Sequence, residues 1–384
     1  MKYCENCVMP ETRPGLKFNN GVCIACENYK NRENIDWDNR WGKLEDICDD
    51  HRRDDGYYDC VIPVSGGKDS HFQVHLMKEK LNMTPLLVAV SDPFSKTSAG
   101  KENLANLQDT FDCDLITFDI SYDTFREATR IGFEQLGEPL KFVETAIYNQ
   151  PIKIADRFDI PLLIYGENPA YEYGTEQSER MSADEHIDDM IEKSDISFWE
   201  NQDKLSKQDL NPIRPPEQSV TDRIESIFLS YFTPWNGYKN LKTARKYGFK
   251  TVEEEWNRPG HIESYDQIDS IAYIVHNWMK YPKFGFARST DIASRWIRWG
   301  VISREEAKRL VMERDGKLDQ RALDDFCEFC NYTRNEFWDI AESHYNEEIF
   351  SKNEFEEWEL DNPVYSDIEI GRSKAAGLDG VSGL

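Results

Sequence analysis

The chain has 384 residues, enough for two domains or for one domain with large insertions, and 39% of them are hydrophobic, which suits a folded core. Its 72 Asp and Glu outnumber 46 Lys and Arg, for a formal charge of −26. Such a surface repels polyanions, because nucleic-acid affinity rests largely on Lys and Arg neutralising phosphates, so RNA and DNA are disfavoured as partners.

Residues 1–50 read as a small cysteine knuckle and a connector. Two CxxC turns, Cys4-Glu5-Asn6-Cys7 and Cys23-Ile24-Ala25-Cys26, stand fifteen residues apart, with Pro10, Pro14, Gly15 and Gly21 between them. Each turn offers two thiolates, and the spacing matches a four-sulfur zinc site. Zinc replaces the core that so short a segment cannot build, and a closed sulfur shell leaves no open position for chemistry. The expected role is structural, or docking of a partner. The nine cysteines, an odd number, fit metal ligation in a reducing compartment better than a disulfide framework. The opening MKYCENC lacks a basic region followed by an apolar stretch, and no apolar run reaches the length of a membrane span. A soluble cytoplasmic protein is expected. Trp37, Trp41 and Leu44 mark a helical connector.

Residues 51–175 alternate between two periodicities. Apolar runs at 58–64, 86–91, 115–120 and 161–166 read as buried strands, and 69–81, 100–111, 124–136 and 142–158 as helices. This alternation predicts an α/β domain with a parallel sheet covered on both faces. Ligands of such sheets bind beyond the carboxyl ends of the strands, where Ser65-Gly66-Gly67-Lys68-Asp69-Ser70 and the segment 165–174 both fall.

The glycine loop is the most informative stretch. Glycines after a strand let backbone N–H groups turn toward an anion, and the following helix adds its positive end. The order of residues fits neither GxxxxGK[ST] nor GxGxxG. It resembles the PP-loop, SGGxDS, of the ATP pyrophosphatase superfamily, on which Ser65, Gly66, Gly67, Asp69 and Ser70 match. That resemblance implies an adenine nucleotide alpha hydrolase-like fold and a loop gripping the pyrophosphate of ATP. Backbone amides and the Ser65 and Ser70 hydroxyls would hold the phosphates, Asp69 would ligate Mg2+, and Lys68 would offset developing charge. His71 and His75, four apart on the next helix, read as surface or packing residues.

Residues 176–235 read as an acidic insertion or lid; the stretch 175–230 carries 14 acidic against 6 basic side chains. From 236 to 362 the text reads as helical. In it KFGFARSTDIASRWIRWG, 283–300, predicts a helix capped by Ser289 or Thr290 and ended by Gly300. Arg288, Asp291, Arg295 and Arg298 share one face of it, able to bind a phosphate or carboxylate or to form surface salt bridges. Cys327 and Cys330 read as buried small hydrophobes on one helix face. Residues 363–384 read as a flexible tail.

Taken together, MKYCENCVMPETRP with GVCIAC, VSGGKDS, YGEN, and KFGFARSTDIASRWIRWG with SREEA resemble the N-acetyl sugar amidotransferase family of surface-polysaccharide and flagellin-glycan biosynthesis. The resemblance runs to about residue 316, and the acidic segment departs from it. It implies conversion of the acetamido group of a sugar, free or nucleotide-linked, into an acetamidino group, with ATP and ammonia. Glu167, Asn168, Tyr171 and Glu172 are the expected contacts to the adenylate or to ammonia. A PP-loop tRNA thiolase shares the activation logic, but the charge and the lack of a cysteine pair at the strand ends count against it. A non-catalytic nucleotide sensor is a third reading. No glutaminase is expected within the chain: Lys2 and Tyr3 precede Cys4, and Gly21-Val22-Cys23 lacks the second glycine of a GxCxG elbow, with Ala25 there instead. The resemblance implies a separate glutaminase, with a cyclase-like companion, as the source of ammonia.

Overall fold

A computed structural model describes residues 1–169, 173–174, 181–183 and 195–368. The four expected strands are present as β1 (Cys60–Pro63), β2 (Pro85–Ser91), β3 (Asp114–Asp119) and β4 (Leu162–Tyr165). A fifth strand, β5 (Glu225–Phe228), extends the sheet from within the range read as an acidic insertion. Only four residues long and flanked by charged sequence, it escapes a periodicity reading, although Ile227 and Phe228 are fully or nearly fully buried. The order is β3-β2-β1-β4-β5, and every pair is parallel. Strand order reverses between β1 and β4, and that reversal opens a crevice at the carboxyl edge.

Helices cover both faces. In chain order they are α1 (Ile24–Asn31), α2 (Trp37–His51), α3 (Lys68–Val74), α4 (Ser98–Phe111), α5 (Tyr122–Ile131) and α6 (Lys141–Arg157), followed by α7 (Gly237–Lys246) and α8 (Arg288–Arg298). Their starts follow from local chemistry: the side chains of Asp36, Thr97, Ser121 and Asn236 each accept from amides in the first turn. Leu44, Val74, Met77, Leu107 and Phe111 cover one face of the sheet; Ile152 and Ala155 of α6 cover the other.

The C-terminal region is largely helical and shares a core with the sheet domain. Phe125 and Phe133 pack with Trp278, Phe326 and Phe337, and Cys327 and Cys330 lie buried among them. Burial pushes the Cys327 thiol up to about 11, in keeping with a packing role. The expectation of continuous helix from 236 fails at 247–272. There the chain forms a loop, organised by the buried Glu263 carboxylate, which accepts from Arg258 (3.1 Å), Tyr265 N–H (2.7 Å) and Asp266 N–H (2.7 Å). A short hairpin, Phe350–Lys352 with Trp358–Leu360, also departs from the helical expectation. No helix among the described residues is long and apolar enough to cross a membrane.

Candidate active site at the carboxyl edge of the sheet

The glycine loop closes on itself before it meets anything else. Ser65 N–H donates to Ser70 Oγ (3.0 Å), and Gly67 N–H donates to Ser65 Oγ (3.4 Å). Gly66 has φ +81°, and a Cβ there would lie 3.0 Å from the Leu104 backbone nitrogen on α4. Both conformation and space therefore require glycine. His71 is fully buried beneath the loop, its Nδ1 3.0 Å from the Gly67 carbonyl and its Nε2 3.1 Å from Asn106 Nδ2. Burial lowers its basicity, and the carbonyl partner makes Nδ1 the protonated nitrogen of a neutral ring. It is the packing residue the sequence suggested, and it supports the loop from below. His75 accordingly packs against Tyr247, whose hydroxyl lies 2.7 Å from its Nδ1.

Lys68 is 4% exposed and points inward. Its ammonium donates to Asp69 (2.7 Å) and to Asp266 of the 247–272 loop. Burial alone would lower its pKa, but Asp266 and then Asp69 outweigh that and hold it well above the ordinary lysine value. Asp266 in turn accepts from Arg288 (3.1 Å). Burial works to raise the Asp266 carboxyl, while Lys68 and Arg288 bring it below its usual range. Asp69 also accepts from Asn240 of α7 (2.8 Å), leaving it aimed at the cavity and 31% exposed at the side chain.

These groups line a cavity of about 290 Å³, together with Asp92, Glu167, Tyr173, Tyr265, Asp269 and Arg295. A second cavity of about 300 Å³ shares Ser65, Asp69, Ser70 and Glu167 but is walled by Val88, Tyr148, Pro151, Tyr165 and Phe228. The site is thus a charged chamber and a mostly apolar one on either side of the loop. A neighbouring helix start is already neutralised: Ser98 and Ala99 N–H, opening α4, donate to the two oxygens of Glu255 at 2.8 and 3.1 Å.

Helix α8 forms where the sequence placed it, and Gly300 follows it with φ +71°. The expected caps are corrected. Ser289 Oγ donates to the Gly260 carbonyl instead, and the distant Asp315 caps the helix by accepting from Ala287 N–H (2.8 Å), Thr290 N–H (2.9 Å) and the Thr290 hydroxyl (2.7 Å). Burial pushes the Asp315 carboxyl up to about 6 despite these donors. Arg288 and Arg295, 7% and 6% exposed, reach the cavity, whereas Arg298 is half-buried and is not among the residues lining it. Asp291 is turned away from the chamber toward Arg13 of the knuckle and Lys280. Glu167 lines the cavity; Asn168 lies buried behind it, its N–H donating to Ser230 Oγ (2.8 Å). Tyr171 and Glu172 lie outside the described residues.

Sequence reasoning missed Asp266, Tyr173 and Asp269. Asp266 and Asp269 sit in no motif, within the 247–272 stretch whose sequence reads as helical, and Tyr173 lies in the 165–174 segment without a motif of its own. The one usable signal was the run Pro259-Gly260, whose turn chemistry argues against helix there.

The four knuckle cysteines are all buried, and their sulfurs lie within 4.8 Å of one another. The Cys4–Cys26 and Cys7–Cys23 sulfur separations are 3.9 and 3.8 Å. Tetrahedral coordination with metal–sulfur bonds of about 2.3 Å requires separations of about 3.8 Å, so the donor set fits a metal ion. The amides of Cys7 and Cys23 point at Cys4 Sγ (3.5 and 3.2 Å), as expected around a thiolate.

Residues 259–364 match a family described as the C-terminal domain of WbpG-like LPS biosynthesis proteins. Over 91 residues the chain is 33% identical to the uncharacterised protein MJ1599 of Methanocaldococcus jannaschii, covering 23% of this chain and 32% of that one. The chain thus spans about a third of the length of that relative. Among solved structures, NMN synthetase from Francisella tularensis overlaps 77% of this chain and 94% of its own at 13% identity and a TM-score of 0.31. NAD+ synthetase from Burkholderia pseudomallei overlaps 58% and 91% at 14% identity and a TM-score of 0.26. Likenesses at these scores have no bearing on the chemistry.

Proposed function

We propose that this protein is an ATP-dependent amidotransferase of the PP-loop type that converts an acetamido group on a nucleotide sugar into an acetamidino group, with ammonia delivered by a separate glutaminase and its cyclase-like companion. The observation that carries this reading is one cavity shared by the glycine loop and by Arg288 and Arg295 of the WbpG-like segment. A loop suited to a triphosphate and an arginine pair suited to a second anion face the same space.

An amide carbonyl is a poor electrophile and its oxygen a poor leaving group. ATP supplies the remedy: the amide oxygen attacks the α-phosphorus, the bond to pyrophosphate breaks, and that oxygen now leaves as AMP. Ammonia adds to the carbon, loses a proton, and the C–O bond breaks to give the amidine. On this reading Ser65, Gly66, Gly67 and Ser70 hold the pyrophosphate portion, and Asp69 offers its remaining lone pairs to Mg2+. Lys68, buried between Asp69 and Asp266, holds a positive charge at the chamber wall where negative charge builds. Glu167, which lines both chambers, would take a proton from the incoming ammonia. Arg288 and Arg295 hold the anionic part of the sugar nucleotide, and the knuckle holds structural Zn2+. The setting is cytoplasmic, where ATP and nucleotide sugars are made.

The test is incubation with acetamido nucleotide-sugars, ATP, Mg2+ and ammonium. The expected product is lighter than the substrate by about one mass unit, formed with one AMP per turnover. AMP formed only with tRNA and a sulfur donor would replace this reading with a thiolase, and ATP bound without any AMP would replace it with a sensor.

A further inference from the structure

The cysteine knuckle sits against the charged chamber. Arg13, between the two CxxC turns, pairs with Asp291 of α8, and its guanidinium lies 4.4 Å from the centroid of the Tyr173 ring. Tyr173 is the hydroxyl to which Arg295 donates (3.0 Å), and the Arg295 guanidinium lies 5.2 Å from the same ring. Both Tyr173 and Arg295 line the cavity. A second contact ties the same segment down. Gly174 has φ +82°, and a Cβ there would lie 2.6 Å from the backbone nitrogen of Ala25, between the ligands Cys23 and Cys26. The chain after β4 is thus clamped on the knuckle at two successive residues.

We infer that the knuckle is a wall of the substrate site, in which Arg13 is a positioning residue that fixes Tyr173 and, through it, the anion-binding Arg295. Cys4, Cys7, Cys23 and Cys26 would hold the metal, whose binding would order the segment that carries Arg13 and the Ala25 backbone, and Arg13 carries that order across the seam. Two like charges on one ring are tolerable because the ring face attracts both and Asp291 neutralises one. The inference rests on the proposed function for the substrate site and for the anion held by Arg295; the clamp itself does not.

The experiment compares wild type, Arg13→Ala, Tyr173→Phe and the double variant, each with metal content measured. Tyr173→Phe keeps the ring under Arg13 but removes the acceptor for Arg295. The probe is UDP-N-acetylglucosamine in equilibrium binding, with ATP as control. Arg13→Ala should keep one metal per chain and weaken probe binding about tenfold, with ATP affinity within about twofold. The double variant should be no weaker than the weaker single one, since both act on one arrangement. Hydrogen exchange supplies a readout independent of substrate: peptides covering 166–174 should exchange faster in Arg13→Ala with metal retained. If the probe is not bound at all, exchange alone decides. Unchanged exchange at 166–174, or multiplicative losses in the double variant, would overturn the inference.

Discussion

The two walls of the charged chamber are made in opposite ways. One is contiguous: residues 65–70 are tied by the bonds from Ser65 N–H to Ser70 Oγ and from Gly67 N–H to Ser65 Oγ, and their geometry follows from local sequence. The other is assembled from Tyr173, Asp266, Arg288 and Arg295, with Arg13 behind Tyr173, and these meet only because the fold brings them together. A contiguous wall is specified by glycine conformation and hydroxyl spacing. An assembled wall is specified by long-range packing, and each member depends on another for its orientation. Damage to the first should stop chemistry with little change in the fold, and damage to the second should loosen binding or structure.

The largest expected effect is in the knuckle that backs the assembled wall. A Cys4→Ser/Cys26→Ser double variant should lose its metal and with it the local fold, since structural zinc contributes on the order of 10 kcal/mol to such elements. Metal analysis with thermal melting checks this, and full retention of zinc would refute the four-cysteine assignment. Next, Ser65→Ala and Asp69→Asn should each lower AMP formation by about 10²–10³-fold, the first at unchanged melting temperature and the second with a smaller loss of stability than Asp266→Asn, because Asp69 is the more exposed of the two partners of Lys68. Near-normal turnover in both would show the loop to be decorative.

Asp266→Asn tests the link between the walls, because this carboxylate bridges Lys68 and Arg288. Removing one partner of a buried pair typically costs about 3–5 kcal/mol, so stability should fall and the KM values for ATP and sugar should rise together. A change confined to one substrate would mean that the walls act independently. Arg295→Ala should raise the KM for the sugar about tenfold and leave that for ATP nearly unchanged. Equal effects on both would return the arginine pair to the salt-bridge reading.

A further effect is set by pH. Asp315 has its carboxyl raised by burial to about 6, above the unfolded value, so the native state binds the extra proton. Its contribution to stability is fully present below the unfolded value and is lost as pH rises through about 6. Measured against Asp315→Asn, wild-type stability should therefore decline between pH 4 and pH 6 and stay level above that; a difference that is flat across the window would remove the assignment.

The same contrast explains what could be read from the sequence. Strands β1 to β4 and their helices were legible because each apolar run is bounded by turn residues, although β3, expected to be buried, lies at the sheet edge and is only partly covered; the glycine loop was legible because its chemistry is local. The cysteine set was legible because two CxxC turns at this separation match the spacing of a four-thiolate site. β5 was not, since four residues within charged sequence carry no period. Asp266 was not, because its position depends on Glu263 and Arg258, buried partners in a loop with no motif. The cap of α8 was misplaced for a related reason: Ser289 and Thr290 are good caps by type, but Asp315 arrives from elsewhere in the fold and takes the role.

The carboxylate of Glu255 on the first amides of α4 has a directional consequence. Helices α3 and α4 both begin along the sheet's carboxyl edge, and an isolated helix start attracts anions. One of them here is occupied by the protein's own side chain, so a negatively charged ligand arriving at this edge meets attraction at the glycine loop and repulsion a short way along. The edge has a polarity: an elongated anion is sorted end from end before any contact reads its identity.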